Sequence, residues 1–256
     1  MILLHRITPF FIGLSAALGF AAMLVLHTQP LLTMGLTILV VGLLLTRLVG
    51  FAPGQFHYWM LFGTPMLFLI SSDGLMLFLE RSFAQIILAV TVSLFLFFFS
   101  EHVFSYVHAP VNYEAYAIEH LSLVLNVASV FFVSVTAFGT RVFLPTYAPI
   151  PALTILFFLI SLFVMYGTLW ASKVDLRQAR LYALCGALLV TELFLTVTYL
   201  PTGFYTNAAL IALTVYLFVG LTRAHFVEKL SPSMIRRYAL TAVILLGCIF
   251  GTAKWL

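Results

Sequence analysis

The chain has 256 residues, of which 63% are hydrophobic and 8% charged, with a formal net charge of +4. A soluble domain carries about 25% charged residues, so this chain has too little polar surface to cover its own core, and lipid must cover it. The basic balance therefore reports orientation in a membrane rather than affinity for nucleic acid.

A helix needs about 20 apolar residues, within a range of about 17 to 25, to cross the hydrocarbon. Nine segments of that kind predict an all-α bundle of transmembrane helices: 7–27, 31–51, 56–71, 75–99, 114–138, 151–171, 178–200, 205–222 and 235–254. His5 and Arg6 precede the first run in the manner of a signal peptide. That run is long and no A-x-A-like site follows it, so it reads as an uncleaved span. Pro30 opens the second segment, and Pro53-Gly54 separates it from the third. The third is short, contains Pro65, and reads as closing in a tight turn at Ser71-Ser72-Asp73-Gly74. Pro110 marks the next junction, and Pro145, Pro149 and Pro151 the one after it. Pro201-Thr202-Gly203 ends the seventh segment, and Ser231-Pro232 opens the ninth as an N-cap and first helical residue.

All connections are short, so residues 1–256 are expected to form one integral membrane domain. Basic residues decide the orientation. With nine crossings and a cytoplasmic N-terminus, Arg6, Arg47, Lys173, Arg177, Arg180, Arg223, Lys229, Arg236 and Arg237 face the cytoplasm, while Arg81, Arg141 and Lys254 face outward. Merging the third and fourth segments would reverse the two most basic loops. The expectation is therefore N-terminus in and C-terminus out, in a prokaryotic plasma membrane. Residues 35–47 weakly resemble residues 212–223, the kind of internal similarity found in transporters.

Polar groups within lipid are costly and tend to face the bundle interior. On the fifth segment Glu119, Ser122, Asn126, Ser129, Thr136 and Thr140 recur at helical spacing and form one stripe. The sixth segment repeats Thr154, Ser161 and Thr168 at intervals of seven. On the seventh, Cys185, Glu192, Thr196 and Tyr199 share a stripe. Glu192, with no basic residue on its own span, is the leading candidate for a proton carrier or ligand contact. The expected ligand or proton pathway is Glu192, Asn126, Glu119 and Thr196. Packing and interhelical hydrogen bonding are the alternative use of such positions.

Glu101, His102, His108, Glu114, Glu119 and His120 crowd the junction of the fourth and fifth segments, without any Lys or Arg. Imidazole and carboxylate together suit Zn, Fe or Mn, which makes Glu101, His102, His108 and His120 a candidate metal set. No H-E-x-x-H or H-x-x-H spacing supports it, and no cofactor is expected otherwise. Lys173, Arg177, Arg180, Arg223, Lys229, Arg236 and Arg237 are expected to set orientation and meet lipid headgroups. Cys185 and Cys248 lie in apolar runs and read as packing residues.

No nucleotide-binding loop or G-x-S-x-G elbow is present. The expected function is a small-molecule or lipid carrier, or a membrane subunit of one. The alternatives are an embedded enzyme acting on a lipid-like substrate through residues 101–120, and a non-catalytic scaffold. Expected partners are membrane lipids and a protein partner or second copy, and not nucleic acid.

Overall fold

The computed structural model describes residues 2–26, 29–114, 116–144, 146, 149–226 and 230–253, with the side chains of residues 2–4 and 112 outside that description. The described residues form nine long helices, one 3₁₀ turn at Pro110–Asn112, and no strand. The helices are α1 (Ile2–Val25), α2 (Pro30–Val49), α3 (Phe56–Met76), α4 (Ser82–His108), α5 (Ala117–Phe143), α6 (Ile150–Ala171), α7 (Leu176–Val197), α8 (Phe204–Phe226) and α9 (Pro232–Thr252). All nine are long and apolar enough to cross a membrane. Within hydrocarbon every backbone polar group must be bonded internally, and a helix achieves this within one segment. The protein is a multi-pass integral membrane protein. Lys229 and Lys254 lie outside the described residues.

The expected turn at Ser71-Ser72-Asp73-Gly74 is not there. α3 continues through it to Met76, and the chain turns at residues 77–81 instead. The reason is local. Ser71 and Ser72 donate their hydroxyls to the Phe68 carbonyl at 3.0 and 2.5 Å, which keeps both polar side chains within the helix instead of breaking it. The real turn is closed by Gln85, whose Nε2 donates to the Leu79 carbonyl at 2.7 Å. α4 accordingly starts later than expected and runs on to His108.

The chain divides, within α5, into two compact units, Met1–Asn126 and Val127–Leu256. In the first unit α1 packs against α4 and α2, and α3 packs against α2 and α4. The α1 face is Ile12, Ala16 and Phe20, and the α4 face is Val92, Leu96, Phe99 and Val103, all fully buried at spacings of three and four. Gly13 allows the close approach: a Cβ there would lie 2.9 Å from the Phe97 Cβ and 3.2 Å from the Ser93 carbonyl oxygen. Such small residues let membrane helices associate where no hydrophobic driving force separates protein from lipid.

In the second unit α6 packs on α7, α7 on α8, and α8 on α9. Its centre is a ring stack. Phe194 of α7 lies between Phe138 of α5, at 4.9 Å, and Phe157 of α6, at 4.4 Å. Offset aromatic pairs of this kind contribute about 0.5–1.5 kcal/mol beyond the area they bury. α7 and α8 meet at Gly186, where a Cβ would sit 2.4 Å from the Phe218 ring. α9 has no buried residue.

Candidate functional site

Among the described residues, Asp73 is the carboxylate that the fold encloses most fully. It is 1% exposed, on α3, and its Oδ2 has no hydrogen-bond partner. α3 is also the most enclosed span, with 72% of its most apolar stretch buried. On the same helical face lie Met66, Leu69 and Met76, all buried. Among the described residues, the neighbouring helices bring no counter-charge to this depth. The sole ionisable residue of α2 is Arg47, at the helix's opposite end. Glu101, His102 and His108 of α4 lie in its far half. Glu80 and Arg81, in the turn beyond α3, are exposed. Sequence reasoning missed Asp73 because a Ser-Ser-Asp-Gly run carries strong turn chemistry. The signal that could have found it is the length of the span: extending the third segment to Met76 brings it to the length a crossing needs.

A second polar group lies where α1 and α3 begin and α4 ends. The His57 ring is 5.4 Å from Tyr106, and Tyr106 is 5.2 Å from Tyr113. The Tyr113 hydroxyl donates to Glu119 Oε2 at 3.2 Å and accepts from the Ile118 N–H at 3.4 Å. Glu119 is 7% exposed, so this bond is what meets its need for a donor. Burial raises the Tyr113 phenol to about 12, and the Glu119 charge beside it acts in the same direction. Next to this group His5 of α1 stacks on His108 of α4 at 4.7 Å, and His108 stacks on Phe104 at 5.3 Å.

The expected metal set is not assembled. Among the described residues no three His, Cys, Asp or Glu side chains lie close enough to hold an ion. Glu101 and His102 are half-buried, His108 is taken up in the ring stack, and His120 is exposed. The α5 stripe is enclosed over Glu119, Ser122, Asn126 and Ser129, and half-buried at Thr136 and Thr140.

Glu192 is a correction. Helical spacing predicts that it faces the bundle interior, yet it is exposed, as are Cys185, Thr196 and Tyr199 on the same stripe of α7. The interior face of α7 belongs to Ala183, Gly186, Ala187, Val190 and Phe194. The polar residues do form a stripe, but small and apolar residues take the packed side because they let α8 and the Phe194 stack approach. Lys173, Arg177, Arg180, Arg236 and Arg237 are exposed and Arg223 is half-buried, and Lys229 is outside the described residues. Cys185 and Cys248 are both free and exposed, so neither is the packing residue that its apolar run predicts.

No family model, no curated protein and no solved structure matches the chain.

Proposed function

We propose that the protein is a carrier for a small molecule or lipid, or the membrane subunit of one, in which Asp73 binds and releases the coupling proton. The observation that supports this reading is the enclosed carboxyl of Asp73 with its unpartnered Oδ2. Ionisable groups enclosed within a span are expensive and mark ion or substrate pathways, and Asp73 is enclosed in the last turn of α3. Among the described residues, neither an ion pair nor a metal cluster offsets that expense. The helix that carries the group is also suited to move. Pro65 lies inside α3, where it removes one backbone hydrogen bond and favours a bend. Glu192, exposed on α7, has no part in this step. The count of basic residues supports a cytoplasmic N-terminus.

The test is a pH jump on proteoliposomes adsorbed to a solid-supported membrane, with the proton itself as the probe. The wild type is expected to give a transient charge movement. Asp73→Asn should abolish it, Asp73→Glu should restore part of it, and Glu192→Gln should leave it intact. A transient of wild-type size in Asp73→Asn, or no transient in the wild type, overturns the reading.

A further inference from the structure

In the second unit a groove of about 500 Å³ opens where α5 and α7 end and α6 begins, lined by Ile150, Pro151, Thr154, Ile155, Leu195 and Tyr199. Its walls are apolar. The one hydroxyl among the helical lining residues, on Thr154, is already donated to the Ile150 carbonyl at 2.8 Å. Two of the walls, Ile155 at 63% and Tyr199 at 71%, are largely exposed, so the groove is open along its length.

At the head of this groove is a cation that, among the described residues, has an aromatic ring beside it and no anionic partner. The Arg141 guanidinium carbon lies 5.7 Å from the centroid of the Tyr199 ring, one of the groove's walls. Its Nη1 is buried and bonded to nothing, and among the described residues Arg141 makes no hydrogen bond and no ion pair. The acidic side chains described in this unit are Asp175, at the opposite end of α7, and Glu192, which forms no pair with it. A guanidinium has five donors in a planar fork suited to phosphate. Leaving the buried Nη1 donors unmet is costly.

An anion with an apolar tail satisfies both features at once. We propose that the Arg141 end of the second unit binds one phospholipid, its phosphodiester on the Arg141 guanidinium and an acyl chain along the groove between α6 and α7. The uncapped start of α6 adds to the positive potential there. A soluble phosphate would satisfy the arginine and leave the groove empty, so the amphiphile is the better fit. This inference does not depend on Asp73, which lies in the other unit.

The test uses the full chain in nanodiscs of equal parts phosphatidylcholine and phosphatidylglycerol, followed by native mass spectrometry. The wild type should retain one phospholipid. Arg141→Gln should lower retention roughly tenfold, the scale of losing a charge-assisted hydrogen bond, and Arg141→Lys should keep part of it. Ile155→Trp, which fills the exposed groove without touching the cation, should lower retention too. Arg81→Gln, an exposed arginine elsewhere, should not. Excess inorganic phosphate should fail to displace the lipid. Unchanged retention in Arg141→Gln or Ile155→Trp, equal loss in Arg81→Gln, or displacement by free phosphate overturns the proposal.

Discussion

Replacing Asp73 with valine should make the protein more stable and inactive. The carboxyl is 1% exposed and its Oδ2 is bonded to nothing. A buried polar atom left unsatisfied costs about 1–3 kcal/mol. Valine removes that cost, adds little volume, and has a helix propensity close to that of aspartate. Its methyls would join Met66, Leu69 and Met76 on the same buried face of α3. The folded state should therefore gain about 1–3 kcal/mol, and a chain of this size gains about 2–4 °C in Tm per kcal/mol. Thermal unfolding of the purified protein in nanodiscs would show the gain, and the pH-jump current would show the loss. Stability traded for function in this way is the usual signature of a working polar group. A Tm lowered by a similar amount would mean that Asp73 holds the fold together, and the reasoning would be refuted.

Three further outcomes are expected. Glu192→Leu should change stability by no more than about 0.5 kcal/mol, because the side chain is exposed and makes no ion pair among the described residues; a large loss in the same melting assay would show a partner for it. Gly186→Ala should destabilise by about 1–3 kcal/mol, since its Cβ would meet the Phe218 ring at 2.4 Å, whereas Gly247→Ala on α9, with nothing within 4 Å of the added Cβ, should be neutral or slightly stabilising. Tyr113 should lose its proton near 12, above the ordinary value of 10. Because the folded value is the higher one, its contribution to stability is complete below pH 10 and is lost as pH rises through about 12. Phenolate absorbance should show a late-titrating component that Tyr113→Phe reduces; an unchanged titration curve in Tyr113→Phe would contradict the burial of this group.

The helices were legible because lipid makes one demand that composition reports directly. A span must be apolar and long, and its backbone must bond to itself. Which side of a span faces protein was much less legible. Burial next to lipid and burial next to protein select the same apolar residues, so the polar stripe of α7 reads as inward although its small residues, Ala183, Gly186 and Ala187, form the packed face. On α5 polarity and burial coincide over Glu119, Ser122, Asn126 and Ser129 and part at the half-buried Thr136 and Thr140, and Glu119 has Tyr113 as its donor. The end of α3 failed for a different reason. Ser, Asp and Gly favour turns by bonding to nearby backbone, and on α3 the two serines make the equivalent bonds to the Phe68 carbonyl without leaving the helix. The turn rule therefore hid the one carboxylate that the fold encloses on its most buried span.

The most direct test of the central claim is the infrared spectrum of the protein in a lipid bilayer as pH is changed. Between about pH 6 and 8, where exposed carboxylates stay ionised, we expect a protonated-carboxyl C=O band whose intensity responds to pH, that is missing in Asp73→Asn and unchanged in Glu192→Gln. A pH-responsive band that survives Asp73→Asn, or one that disappears in Glu192→Gln, would show that the proton is held elsewhere and would contradict the role given to Asp73.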